Sequence, residues 1–112
     1  MENVTVVLVH GAWHGAWCWA ALQAELDQRG IASLAIDLPG HGASIEKLGD
    51  LHGDAAAVAA VVDRIDGDVV LVGHSYGGGV ISVAGALSPR VRHLVYLAAY
   101  VLDVTDSVSR VG

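Results

Sequence analysis

A single serine lies between an apolar run and a second apolar segment, with glycines on both sides of it. Val69–Val72 is apolar throughout, which is typical of a strand that is buried on both faces. The next five residues, Gly73–Gly77, have the spacing G-x-S-x-G, and Tyr76–Leu87 has the apolar periodicity of a helix. The sequence therefore predicts a strand, a sharp turn with Ser75 at its corner, and a helix.

The residues of this turn suit nucleophilic chemistry. A serine hydroxyl is a weak nucleophile unless a base takes its proton and hydrogen-bond donors stabilise the resulting oxyanion. We expect Ser75 to be the nucleophile and the backbone N–H of Tyr76 to donate to the oxyanion. Gly73 and Gly77 are expected where a side chain would collide with neighbouring backbone, and His74 is expected to point into the protein. The alternative is a glycine-rich turn that contains an incidental serine.

Strand and helix patterns alternate along the whole chain. Besides the strand and helix on either side of Ser75, apolar runs predict strands at 4–9, 31–36 and 91–98, and periodic segments predict helices at 17–29 and 51–65. This alternation predicts an α/β fold, with a parallel sheet of about four strands and helices on both faces, in one domain over residues 1–112. The strand at 91–98 would be a strongly apolar open edge, through which the chain could self-associate.

The charge, the length of the apolar runs and the cysteine count argue against several classes of partner. The net charge is −6 and no cluster of Lys or Arg is present, which argues against a nucleic-acid partner. No apolar run approaches the ~20 residues of a membrane-spanning helix, so no membrane partner is expected. Cys18 is the only cysteine, which excludes an internal disulfide, favours a cytoplasmic location and suits an apolar filler better than a reactive thiol. The start of the chain predicts no signal peptide.

A His-Gly pair follows the first predicted strand directly. His10 and Gly11 at this place have the pattern of a loop that contributes to an oxyanion hole. We therefore expect the backbone N–H of Ala12 to be the second oxyanion donor, with His10 in a hydrogen-bonding role. The alternative is a glycine turn, and in either case Trp17 and Trp19 are expected to pack into the core.

Three segments together carry a family resemblance. They are His10-Gly11 after the first strand, Asp37–Gly42 after the second and Gly73–Gly78 after the third. In this order they resemble the N-terminal half of an α/β-hydrolase-fold protein, and 10–19 resembles the small esterase and hydroxynitrile lyase branch. The resemblance implies that the third strand is central beside the first, with the fourth outside it. It implies no cofactor, and no metal-ligand spacing links the histidines.

The rest of a catalytic triad is not evident in the sequence. In this family the acid and the histidine follow the nucleophile in the chain. The only histidine after Ser75 is His93, at the entry of the fourth strand and hence at the opposite end of the sheet. Asp103 follows that strand, where some family members place the acid, although a plain loop residue is the favoured interpretation. The resemblance thus implies a partial domain, with the late strands, lid, acid and histidine missing.

These observations predict a serine hydrolase that acts on esters or related small-molecule acyl substrates. One alternative is a hydroxynitrile-lyase-like enzyme on the same fold, and another is a non-catalytic remnant of half the fold. The side chains of Trp13, Leu38 and Tyr76 could line an acyl pocket or could simply pack.

Overall fold

The computed structural model describes residues 4–11, 15–38 and 50–97, in which strands and helices alternate as the sequence predicts. The strands are β1 (Val4–Val9), β2 (Ala32–Ile36), β3 (Asp68–His74) and β4 (Val91–Leu97), and the α-helices are α1 (Ala20–Gln28), α2 (Leu51–Val62) and α3 (Tyr76–Leu87). A short 3₁₀ turn, Ala16–Trp19, precedes α1.

The four strands form one parallel sheet in the order β2-β1-β3-β4, which confirms the predicted arrangement. The chain leaves β1 toward one side to form β2, and β3 pairs on the other side of β1. Such a reversal of strand order opens a crevice at the carboxyl ends of the two central strands, where α/β proteins commonly bind ligands. Val9 pairs with Gly73, so His10 and the turn at Ser75 emerge side by side at this crevice.

Helices cover both faces of the sheet. On one face, α2 and α3 pack over fully buried residues of the central strands, including Val7, Val9 and Leu71. On the other face, the 3₁₀ turn and α1 pack over Leu8 and Val72. The two central strands are therefore apolar in continuous runs because both of their faces are buried.

The 3₁₀ turn separates two tryptophans, Trp17 and Trp19, that were each predicted to pack into the core. Trp19 is 6% exposed and belongs to the core under α1, as expected, but Trp17 is 67% exposed, so that part of the prediction is wrong. The sequence pattern placed both residues at the start of a helix that begins at Trp17, whereas α1 begins at Ala20. With three residues per turn, side chains two positions apart point in different directions.

The sheet ends at β4 in the part of the chain that the structure describes. Leu94, Val95 and Leu97 are each about two-fifths exposed along this strand. The apolar edge that the sequence predicts is therefore present. Within the same described ranges, no helix is long and apolar enough to cross a membrane.

Candidate active site

Ser75 has the backbone conformation that a sharp corner requires. Its φ is 55° and its ψ is −122°, and it is the only non-glycine residue with a positive φ in the described ranges. This conformation is unfavourable for a residue with a side chain and persists only where its surroundings enforce it. The Ser75 N–H donates to the Leu97 carbonyl at 3.3 Å, and the Gly78 N–H donates to the Ser75 carbonyl at 2.9 Å. The corner is thus attached to both β4 and α3.

The hydroxyl of Ser75 does not cap the helix that follows it. Ser75 is the N-cap residue of α3, where a serine oxygen usually accepts a hydrogen bond from the first turn. No such bond is made here. The side chain is half-buried at the carboxyl end of β3, and its oxygen is not used to stabilise the helix.

Glycines allow the backbone to approach closely around this corner. A Cβ atom on Gly73 would lie 2.5 Å from the carbonyl oxygen of Gly77. A Cβ atom on Gly77 would collide with the carbonyl oxygen of Val9 and lie 2.6 Å from that of His10. The first turn of α3 therefore rests directly on the end of β1, in agreement with the collisions expected for both glycines.

The loop after β1 lies against the same corner. A Cβ atom on Gly11 would be 3.1 Å from the Cβ of Ser75 and 3.2 Å from the carbonyl oxygen of His74. This contact brings the start of the predicted oxyanion loop next to Ser75. Ala12, the predicted second donor, lies outside the described residues, as do Trp13 and Asp103.

His10 holds this loop from within the protein. The side chain is fully buried; its Nε2 accepts a hydrogen bond from the Leu38 N–H at 3.0 Å, and its Nδ1 donates to the Gly11 carbonyl at 2.7 Å. Accepting at Nε2 requires the tautomer that carries its proton on Nδ1. Both ring nitrogens are therefore engaged, in a hydrogen-bonding role rather than that of a general base.

A second hydrogen bond holds the far end of the loop. The Ala16 N–H donates to Oδ1 of Asp37 at 2.6 Å. Since Asp37 and Leu38 directly follow β2, the loop is attached at both ends to the same short segment. Leu38 itself is fully buried in the core, so its side chain packs rather than lining an open pocket.

Tyr76 has two distinct features at the start of α3. As the first residue of the helix, its backbone N–H has no acceptor within the helix. Its phenol donates a hydrogen bond of 2.6 Å to Oδ2 of Asp54, which is 1% exposed in α2. Burial, and after it the hydrogen bond to Asp54, raises the pKa of the Tyr76 hydroxyl above its ordinary value. The phenol therefore stays neutral and donates.

The contact between Asp54 and Tyr76 was not predicted from the sequence, although a signal was present. Asp54 lies three residues after Leu51 and four before Val58, on the buried stripe of α2. A carboxylate on such a stripe is seldom buried without a partner. The partner could not be identified, because it is 22 residues away in the sequence.

Two other histidines are placed as expected. The ring of His74 packs edge-on against Trp19, with 6.4 Å between the ring centroids. His93 pairs with Val70 near the start of β3, at the end of the sheet opposite Ser75. Within residues 4–11, 15–38 and 50–97, no three His, Cys, Asp or Glu side chains are grouped as a metal site would require.

The open depressions of the surface lie away from Ser75. Two open depressions, of about 500 and 400 Å³, lie at the amino ends of the strands, and they are lined by residues that include Ile31 and Val70. We assign neither of them to the Ser75 site. Cys18 is half-buried against the core, and burial raises the pKa of its thiol, which makes it a poor nucleophile.

Known proteins resemble this chain in sequence and in fold. Residues 6–111 match the model of the alpha/beta hydrolase family. A carbendazim hydrolyzing esterase from Nocardioides sp. (strain SG-4G) is 41% identical over 107 residues, which cover 91% of this chain and 44% of that protein. Norfluorocurarine synthase 2 from Strychnos sp is 40% identical over 106 residues, which cover 88% of this chain and 40% of that protein.

A solved structure has the same arrangement. The methylesterase protein MES16 from Arabidopsis superimposes with a TM-score of 0.81 at 34% identity, covering 89% of this chain and 45% of that one. The chain thus spans less than half the length of the relatives it matches. Because the family match extends over nearly the whole sequence and the fold agrees, this chain belongs to the alpha/beta hydrolase family.

Proposed function

We propose that this chain carries the nucleophile and the oxyanion hole of a serine esterase that acts on a small-molecule ester or related acyl substrate. The observation that supports this most directly is the conformation of Ser75. A serine held at φ 55° between a buried strand and a helix, with a hydroxyl that caps nothing, has no evident structural purpose. The esterases among its relatives support the acyl substrate class.

In the proposed reaction, Oγ of Ser75 attacks the acyl carbon and its proton passes to a general base. The tetrahedral oxyanion accepts hydrogen bonds from the backbone N–H groups of Tyr76 and Ala12. Its collapse releases the alcohol, which takes up the proton, and water then hydrolyses the acyl-enzyme by the same steps. His10 and Gly11 support the loop that carries Ala12.

We assign the general base to none of the following three histidines. His10 is engaged at both ring nitrogens, His74 packs on Trp19, and His93 lies at the wrong end of the sheet. Asp103 stays a minor candidate for the acid. The proposed steps use neither a metal nor a cofactor, and the cytoplasmic location stays a prediction from the single cysteine.

The test uses the complete gene product and a fluorophosphonate probe, which modifies activated serines covalently. We expect labelling and hydrolysis of a p-nitrophenyl ester, and we expect Ser75→Ala to abolish the labelling and lower kcat by at least about 10³-fold. Ser33→Ala, which changes a half-buried serine in β2, is the matched control and should keep both activities.

Other outcomes would favour the alternatives. Release of cyanide from a cyanohydrin, without turnover of any ester, would indicate a hydroxynitrile-lyase-like enzyme that uses the same serine. Absence of labelling and of both reactions would indicate a non-catalytic protein and would contradict the proposal.

A further inference from the structure

We propose that Asp54 is a positioning residue for the oxyanion hole. Its buried carboxylate holds the side chain of Tyr76, and it thereby fixes the direction of the Tyr76 backbone N–H beside Ser75. This inference rests on the proposed function, because it assigns a role within the same site.

The contact itself is short, and its carboxylate is buried. Oδ2 of Asp54 accepts the phenolic hydrogen of Tyr76 at 2.6 Å, and Asp54 is 1% exposed. Hydrogen bonds of this length to an ionised carboxylate are stronger and more directional than those between neutral groups. The contact therefore joins the first turn of α2 to the first residue of α3.

Stability of α2 does not explain a carboxylate at this position. The N-cap of α2 is Asp50, whose side chain already accepts from the Gly53 N–H at 2.7 Å. An apolar residue at position 54 would extend the buried stripe of Leu51 and Val58 without the cost of desolvating a charge. The positive end of the helix dipole makes a carboxylate tolerable in this first turn, but it does not require one.

The start of α3 has few other side chains with which to anchor itself. Tyr76 is followed by Gly77, Gly78 and Gly79, all of them buried and without side chains that could pack. The only side chain of this first turn is therefore that of Tyr76, and its far end is held by Asp54. Because Tyr76 directly follows the strained corner at Ser75, a rotation of this turn would move the Tyr76 N–H away from the oxyanion. Misplacement of a catalytic group by about 1 Å can cost on the order of 100-fold in rate.

A second hydrogen bond to α3 provides a matched control for this contact. The hydroxyl of Tyr96, a half-buried tyrosine in β4, forms a hydrogen bond of 2.7 Å with Oγ of Ser82. Ser82 also donates to the Gly78 carbonyl at 3.0 Å. Removal of the Tyr96 hydroxyl deletes a hydrogen bond between α3 and β4 that is similar to the Tyr76–Asp54 bond in length and burial. This bond is made by Ser82, which lies away from the start of α3.

The experiment compares Tyr76→Phe, Asp54→Ala, Asp54→Asn and Tyr96→Phe in the complete gene product, by kcat and KM on a p-nitrophenyl ester and by thermal melting. We expect Tyr76→Phe and Asp54→Ala to lower kcat about tenfold, with KM changed by no more than about twofold. Asp54→Asn keeps an oxygen that accepts from the phenol and should restore most of kcat. Tyr96→Phe should lower the melting temperature to a similar extent and leave kcat within about twofold.

The outcomes distinguish a positioning role of Asp54 from a purely structural one. If Tyr76→Phe loses only thermal stability, as Tyr96→Phe does, Asp54 has a structural role and the inference is wrong. If Asp54→Ala does not fold, Tyr76→Phe decides alone. If the wild-type protein is not labelled by the fluorophosphonate and does not hydrolyse an ester, the proposed function is wrong. The inference is then also wrong, and this result in the wild type distinguishes that case from a failure seen only in the variants.

Discussion

At the scale of single residues, Gly77 is the point of closest approach between α3 and β1. A methyl group at this position would collide with the Val9 carbonyl, which is part of the central strand and cannot move aside. We expect Gly77→Ala to lower the free energy of unfolding by about 1–3 kcal/mol, the range for overpacking a rigid site. Urea denaturation of the complete gene product measures this difference.

Gly85 in the same helix provides the control. A Cβ there would meet only the end of the Leu94 side chain, at 3.0 Å, and Leu94 is partly exposed and can rotate. Alanine is also a better helix former than glycine by about 0.5–1 kcal/mol, so Gly85→Ala should be neutral or stabilising. Equal losses at both positions would contradict the assignment of the Gly77 contact.

Tyr76 should ionise at a higher pH than a tyrosine in the unfolded chain. Its pKa is raised by burial and by Asp54, so the folded state favours the neutral phenol more than the unfolded state does. The corresponding stability is fully present below the unfolded pKa of about 10, and it is lost as the pH rises from there through the folded pKa. Phenolate absorbance should show one late step that Tyr76→Phe removes. A late step that survives in Tyr76→Phe would belong to another tyrosine.

These residues differ in how far the sequence could predict them. Gly73, Ser75 and Gly77 were predictable because the turn imposes its requirements within five consecutive residues. The partner of Asp54 was not predictable, because α2 and α3 are brought together by the packing of both helices on the sheet. The local pattern in α2 shows only that a carboxylate lies among apolar neighbours.

At the scale of elements, the loop between β1 and α1 is held by the segment that follows β2. The Ala16 N–H donates to Asp37 and the ring of His10 accepts from the Leu38 N–H. We expect Asp37→Ala to lower the free energy of unfolding by about 1 kcal/mol and also to slow phosphonylation of Ser75, because the loop that carries Ala12 loses one of its two attachments.

Two further variants test this attachment. Asp37→Asn keeps an acceptor oxygen and should recover much of the loss in both measurements. Asp27→Ala, at an exposed position of α1, should change neither of them. A loss of stability without a slower reaction of Ser75 would show that the loop keeps its position without Asp37.

The start of α1 was less predictable than the helix itself. The apolar spacing of Leu22 and Leu26 indicated a helix, and Gly30, with φ 72°, follows its end as expected. The 3₁₀ turn at Ala16–Trp19 has no such spacing, and its first residue is held by Asp37, which is 21 residues away in the sequence. This is why the sequence misplaced the side chain of Trp17.

At the scale of the whole molecule, strand order could be predicted from the family resemblance, and the apolar character of the fourth strand from its own residues. The run at 91–98 is too apolar for a strand that faces water, and β4 indeed lies at the edge with Val95 and Leu97 exposed. Unpaired apolar edges favour pairing with other chains. We therefore expect the 112-residue chain, when it is produced by itself, to self-associate through β4.

Lysine on the edge should prevent this association, because pairing would bury its charge. We expect Val95→Lys to shift the 112-residue chain toward monomer in sedimentation velocity, at the same protein concentration as the wild type. Leu87→Lys is the control, since Leu87 is 56% exposed at the end of α3 and away from the strand edge. Both variants add the same positive charge, so a change in net charge alone would affect them equally. If Leu87→Lys disperses the chain as well as Val95→Lys does, the association is a general effect of charge and does not run through β4.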